Sequence, residues 1–445
     1  MRKIFFTSLG CDKNLVDSEV VLGNLVVGGY NHFSPPEEAE ILILNTCAFI
    51  DSACREAEEW IKKYISWKEK DPGKKVVVMG CYPERFGPEV ASRFPEVDWW
   101  VGVNDFSRIV QILQNPQKRV WMDSPWYLYD EESPRLITES PHYAFVKIAE
   151  GCNRNCSYCL IPQIKGPLRS RTISSIEKEI VNLLEGGTNE IILVAQDLGA
   201  YGLDRYGKPA LSQLLARLEK IVPAGRWVRL LYLSPEHLDW ELIETIAQVK
   251  SVVHYLDLPL QHVNPVILQK MNRRYRLPEI RKKLERMRLL LPDIVIRTTF
   301  LVGFPGEDQK SFQELLSFVQ DFAFERMGAF IYSDEPGSQS ARLQPKVPLS
   351  VAQDRFDLLM ETQQKIMDRF HQSLVGKEIF AIIDQILPEN STPAGGCFLG
   401  RTYGDAPEVD AQIKIFPGDE KLNLGQIVKV KVTKAETFCL EGKTI

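Results

Sequence analysis

Alternation of short apolar strands with helix-patterned stretches runs through most of this chain, and it restricts the fold more than any other feature. Ile4–Thr7, Ile41–Leu44, Val76–Met79 and Trp99–Val103 are short apolar runs suited to buried strands. Between the first two, Asp12–Val26 places Leu15, Val16, Val20, Leu22 and Leu25 at helical spacing. Ser52–Trp67, Glu84–Phe94 and Phe106–Leu113 follow the later strands as helices. Short connections between such elements predict an α/β domain with an open, mostly parallel sheet over residues 1–118. Residues 119–140, rich in Pro, acidic and aromatic residues, read as a linker. A second series fills 141–374, with candidate strands Tyr143–Ala149, Glu190–Val194, Trp227–Tyr232, His254–Asp257, Val295–Leu301 and Ala329–Ile331. Six strands with long helical crossovers suit a partial (β/α)6 barrel, closed by a helix over Val351–Leu374. From 375 to 445 the pattern changes to short alternating strands (Ile379–Ile383, Ala411–Ile415, Val428–Thr433), as in a small β-barrel.

Bulk properties narrow the class. The chain has 445 residues, 44% of them hydrophobic, enough for several cores. A net charge of −5 gives no general attraction to nucleic acid. No apolar run reaches the roughly 18 residues that a membrane span needs. The polar start Met-Arg-Lys-Ile-Phe-Phe-Thr is expected to be a strand, not a leader, which points to the cytoplasm and away from membranes. In that reducing compartment nine cysteines suggest metal or catalysis before disulfides.

The cysteines fall into two sets. Cys152, Cys156 and Cys159 have the spacing C-x3-C-x2-C directly after the first strand of the second series. Three thiolates on one loop suit an iron–sulfur cubane that leaves one iron open to a ligand. An amino acid such as S-adenosylmethionine can chelate that iron through its amine and carboxylate, and an electron then breaks the sulfonium bond. A zinc site is the plainer alternative, but no fourth His or Cys follows nearby. Cys11, Cys47 and Cys81 are distant in sequence, yet each lies just past a strand of the first series, where a parallel sheet gathers its carboxyl ends. Gly10 and Gly80 beside them leave room for a ligand. Three buried structural cysteines would give the same pattern.

Longer motifs extend the reading. Ser8–Glu19 and Asn45–Ile50 resemble the amino-terminal domain of the methylthiotransferases. Glu150–Cys159, Ile161–Arg171, Ile192–Asp197, Leu258–His262, Met271–Arg274 and Arg297–Glu307 resemble their radical S-adenosylmethionine core, and the last segment, with Asp405–Asp410, their TRAM β-barrel. The resemblance covers nearly the whole chain. It implies two 4Fe-4S clusters, on Cys11/Cys47/Cys81 and Cys152/Cys156/Cys159, with S-adenosyl-L-methionine cleaved at the second. One family branch modifies an adenosine of tRNA; the other, of RimO type, modifies an aspartate of small-subunit ribosomal protein S-twelve. The string Leu9-Gly-Cys-Asp-Lys-Asn-Leu-Val-Asp-Ser-Glu19 is similar to the protein-modifying branch, apart from Asp12 in place of the usual Pro. Asp12 begins a helix, where it is expected to cap exposed amides. Between Lys377 and Lys443 eight Lys and Arg stand against ten Asp and Glu, an acidic balance better matched to a basic protein than to phosphate. The cluster Asp405, Glu408 and Asp410 is expected to carry that attraction.

The family reading implies that a methylthio group is added to the aspartate β-carbon, which resists acid–base activation. It further implies a reductase or flavodoxin-like electron donor, and it leaves the sulfur donor open. Smaller assignments follow it. Tyr158, Gly186, Gly187, Gln196 and Asp197 are expected beside the cofactor, although a Gly-Gly pair before a strand can equally be a plain helix cap. Arg297 and, more weakly, Gln261 are expected at strand carboxyl ends as catalytic groups. His262, Cys54, Cys397 and Cys439 are expected to be structural. A non-catalytic cluster-assembly protein would share the thiols, and failure to cleave S-adenosylmethionine would single it out.

Overall fold

The computed structural model describes residues 2–31, 34–122, 126–387, 396–418 and 421–445. Its first unit is a six-stranded parallel sheet in the order Tyr30–Asn31, Arg2–Ser8, Ile41–Thr46, Lys75–Gly80, Trp99–Val101, Val120–Trp121. The central strands Ile41–Thr46 and Lys75–Gly80 are buried on both faces, which is why they read as unbroken apolar runs. Two short edge strands were not anticipated. One of them, Val120–Trp121, moves the end of the first domain past the expected boundary at 118, because Trp121 is buried against the sheet.

The second unit is an arc of two three-stranded parallel sheets. Tyr143–Lys147, Glu190–Val194 and Trp227–Leu230 form one; Tyr255–Asp257, Val295–Val302 and Arg326–Ile331 form the other. An isolated bridge between Val228 and Val252 joins them. Amphipathic helices such as Ile173–Glu185, Leu277–Leu290 and Gln309–Phe322 cover the outside, two of them capped by Thr172 and Asp308 side chains. Six strands cannot fill their own lumen. Val16 and Val20 of the first-domain helix Asp12–Val27 pack there with Phe145, Ile192 and Val194, together with Ile382 and Ala406 of the third unit.

The third unit is a closed barrel of five strands, ordered Glu378–Leu387, Cys397–Thr402, Gln412–Phe416, Cys439–Thr444, Ile427–Ala435. Two of these begin with cysteine and carry a glycine, so their alternation is weak in the sequence. The barrel docks on the core through buried ion pairs, Arg326 with Asp405 at 2.6 Å and Arg401 with Glu190 at 2.8 Å, and through a hydrogen bond between His142 Nε2 and Asp384 at 2.8 Å. This corrects the expectation for the acidic loop. Asp405 is 1% exposed, and Asp410 accepts from the Tyr255 hydroxyl at 2.7 Å. Of the three carboxylates only Glu408 faces solvent. Among the described residues no helix is long and apolar enough to cross a membrane.

Candidate active site between the domains

Three consecutive strands of the first sheet end at a cysteine or just before one. Cys11 follows Arg2–Ser8, Cys47 follows Ile41–Thr46, and Cys81 follows Lys75–Gly80. A polar clamp sets these ends together. The Asn14 amide donates to the carbonyls of Leu9 at 3.0 Å and Thr46 at 2.9 Å. The Thr46 hydroxyl donates to the Met79 carbonyl at 2.6 Å and accepts from the Tyr82 N–H at 3.1 Å. Gly10 and Gly80 adopt φ of +97° and +98°, which glycine takes without strain. A Cβ on Gly10 would lie 2.6 Å from the Cys47 Cβ, and one on Gly80 would meet the Asn45 side chain.

Across the gap, the loop after Tyr143–Lys147 carries Cys152, Cys156 and Cys159. N–H donors point at their sulfurs: Arg154 N to Cys152 and Ile161 N to Cys159, each at 3.4 Å, and the Arg273 guanidinium to Cys156 at 3.8 Å. All six cysteines line one cavity of about 480 Å3, with Tyr158, Gln196, Asp197 and Gln261 among the other walls. All nine cysteines of the chain are free of disulfides. Burial pushes the Cys152 thiol up to about 11 and Cys159 up to about 12. These are therefore neutral thiols without a metal, and iron must displace their protons to bind. No group of three His, Cys, Asp or Glu among the described residues is arranged to hold a single metal ion. A cubane sets its thiolates on separate irons, so it needs wider spacing than one ion does. The donor set fits such a cluster: free thiols, inward N–H groups, and a buried Gln196 carbonyl oxygen with no partner among the described residues.

A buried charge network, spread over four segments of sequence, stiffens the seam. Asp17 of the first domain pairs with Lys147 and, at 2.9 Å, with Lys165. Lys147 also pairs with Glu150, which accepts from Gln196. Burial alone would raise the Glu150 carboxyl, but Lys147 and Lys165 hold it down at about 2. Glu236 behaves likewise: against its burial, Arg273 and Arg154 keep it at about 2. Asp197 is braced by Arg154 at 3.5 Å and by His237 at 2.9 Å.

Other expected positions lie elsewhere. Arg297 is the third residue of a strand that runs on to Val302, so it sits well before the carboxyl end. One arm of its guanidinium meets Asp257 at 3.3 Å and its Nε faces Asp410 at 3.4 Å, at the seam with the small barrel. It is not among the cavity walls. Gly186 caps the helix Ile173–Glu185 and Gly187, with φ of +99°, turns the chain into Glu190–Val194. The cavity is at the other end of that strand, roughly 15 Å away at about 3.3 Å per residue. The pair forms a helix terminus, as in the plain-cap alternative. Asp12 does not cap its helix; its carboxylate accepts from the Tyr232 hydroxyl at 2.8 Å. His262 is fully buried, burial lowers its imidazole to about 3, and its Nδ1 accepts from the Asn264 N–H at 3.0 Å. A larger groove of about 890 Å3 on the barrel's flank contains no cysteine.

Comparison with known proteins agrees with this division. Residues 3–102 match Uncharacterized protein family UPF0004, residues 146–319 the Radical SAM superfamily, and residues 375–445 the TRAM domain. The chain is 42% identical to the ribosomal protein uS12 methylthiotransferase RimO of Carboxydothermus hydrogenoformans, over 100% of this chain and 99% of that protein. It is 40% identical to the protein of the same name from Dictyoglomus thermophilum, with 100% of both chains covered. Among solved structures, it superposes on the radical S-adenosylmethionine methyltransferase TsrM of Kitasatospora setae with a TM-score of 0.55 at 14% identity, covering 74% of this chain and 75% of that one. At that identity the match speaks for the fold alone.

Proposed function

Because the chain belongs to the ribosomal protein uS12 methylthiotransferases of the radical S-adenosylmethionine superfamily, we propose that it adds a methylthio group to the β-carbon of an aspartate in uS12. The observation that carries this reading is that two cysteine trios, one from each domain, line the same cavity. Cys152, Cys156 and Cys159 would hold the cluster that binds S-adenosylmethionine, and Cys11, Cys47 and Cys81 a second one. When bound, these groups supply one-electron chemistry that removes hydrogen from an unactivated carbon, and an iron site that holds sulfur.

The chain's own residues prepare that space. Arg154 and Arg273 balance charge on the barrel loop while fixed by Glu236 and Asp197. Gln196 and Asp197, at the carboxyl end of Glu190–Val194, offer polar groups to the amino-acid part of the cofactor, as does Gln261 from the neighbouring sheet. Tyr158, edge-on to Phe304 at 6.5 Å between ring centroids, gives the adenine an apolar wall. Phe49, Ile161 and Leu233 limit water around the reacting carbon. The asymmetric placement of the trios lets sulfur and radical approach a substrate carbon from different domains. A small reductase or a flavodoxin-like protein would deliver the electron.

The test offers uS12 and tRNA side by side to the cluster-loaded enzyme with methyl-labelled S-adenosylmethionine. Label in uS12 and none in tRNA is the expected result. Label in tRNA alone would move the enzyme to the RNA-modifying branch. No cleavage of S-adenosylmethionine at all would leave only a cluster-binding protein.

A further inference from the structure

Four cations line the cavity: Lys13, Arg154, Lys165 and Arg273. Three are already committed to carboxylates of the protein. Arg154 pairs with Glu236 and Asp197, Lys165 with Asp17, and Arg273 lies 3.9 Å from Glu236. Lys13 is different. No carboxylate lies within ion-pair distance of its ammonium among the described residues, which instead sits over the Tyr232 ring, 3.3 Å from the centroid. The neighbouring acid, Asp12, is turned aside to accept from the Tyr232 hydroxyl at 2.8 Å. Tyr232 itself is held in a left-handed conformation, φ 66°, with its N–H on Asp257 at 2.9 Å. A non-glycine residue in that region costs free energy, and such strain collects at functional positions. A half-buried ammonium on an aromatic face, with no carboxylate at ion-pair distance among the described residues, is placed to meet an anion that arrives from outside.

We propose that Lys13 recognises the carboxylate of the substrate aspartate, and so makes this enzyme specific for an acid over its amide. The proposal rests on the uS12 reading above and deepens it. The carboxylate is bonded to the β-carbon that reacts, so it must enter the cavity with that carbon and remain there, charged and partly desolvated. A charge in such a place needs an opposite charge. Lys13 rides on the helix that starts beside Cys11, while its ring partner Tyr232 belongs to the barrel. The ammonium therefore stands at the seam of the two domains, where a substrate reached by both trios has to lie. The cofactor's own carboxylate is the competing anion, but the polar groups Gln196, Asp197 and Arg154 are carried by the barrel, whereas Lys13 is carried by the first-domain helix.

The experiment measures binding of two peptides to the cluster-loaded protein. One spans the target aspartate of uS12, and the other is identical except for Asn at that position. Wild type should prefer the Asp peptide by about tenfold or more, as charge-assisted recognition allows. In Lys13→Met the preference should collapse to about one, through weaker binding of the Asp peptide with the Asn peptide little changed. Lys13→Arg, which keeps the charge, should keep most of the preference. Equal preference in wild type and Lys13→Met would overturn the proposal. So would equal loss of both peptides in the Met and Arg variants, or a Lys13→Met variant that loses affinity for S-adenosylmethionine and keeps its peptide preference. If wild type neither binds nor modifies the Asp peptide, the uS12 reading falls, and the role of Lys13 falls with it.

Discussion

The two sets of thiols belong to different domains and can be removed separately. Replacing Cys152, Cys156 and Cys159 with Ala should leave about half the iron and abolish 5′-deoxyadenosine, since two similar clusters are proposed. Replacing Cys11, Cys47 and Cys81 should also remove about half the iron, yet leave deoxyadenosine formation in part while methylthio transfer stops. Iron assay and chromatography of the products check both. Normal transfer in the second variant would make those cysteines structural. The cysteine loop was legible in sequence because its three cysteines are close together in the chain. The setting of Arg297 was not legible for the opposite reason: its partners Asp257 and Asp410 lie far away in the chain, and the strand runs past it to Val302. Lys165 gave no signal either, because its partner Asp17 comes from another domain.

Strand ends and loops carry the next set of expectations. Gly80 has positive φ, and a side chain there would meet Asn45, the residue that also donates to Ser18 at 2.8 Å. Gly80→Ala should therefore displace the Cys47 and Cys81 ends and lower first-domain iron, with the barrel's share retained. Unchanged iron would show that the strand ends tolerate the shift. The loop following Tyr143–Lys147 makes a pH prediction. Glu150 is held at about 2 in the folded protein, below the roughly 4.3 of an unfolded chain. Its contribution is present in full above about pH 5 and is lost as pH falls from there through about 2. Glu150→Gln should thus be less stable than wild type near neutral pH, and the gap should narrow in acid. Thermal unfolding across that range measures it; a constant gap would deny the ion pairing. Of these elements the strands with unbroken apolar runs were legible, whereas the two-residue edges and the cysteine-led strands of the small barrel were not. Their side chains carry too little periodicity, and pairing with neighbours decides them.

Assembly of the three units depends on charges that the sequence presented as surface. Asp405 and Asp410 looked like an acidic recognition loop because composition cannot distinguish a solvated carboxylate from one facing a buried arginine. Arg326, 3% exposed, donates to Asp405 through both Nε and an arm of its guanidinium. Asp405→Ala should leave that cation unpaired and cost about 3–5 kcal/mol of stability, seen as a lower denaturation midpoint. A loss under about 1 kcal/mol would mean that the pair is wet and the docking weaker than drawn. The same packing bears on function, since Ile382 and Ala406 of the small barrel help fill the lumen beneath the cavity. The claim that matters most is that both trios serve a single reaction on uS12. It is tested most directly by mass spectrometry of uS12 from cells lacking this enzyme, supplied with wild type or with the Cys11/Cys47/Cys81→Ala variant. Wild type should replace one β-hydrogen of an aspartate with a methylthio group, and the variant should leave uS12 unmodified. Modified uS12 in cells with the variant, or unmodified uS12 in cells with wild type, would contradict it.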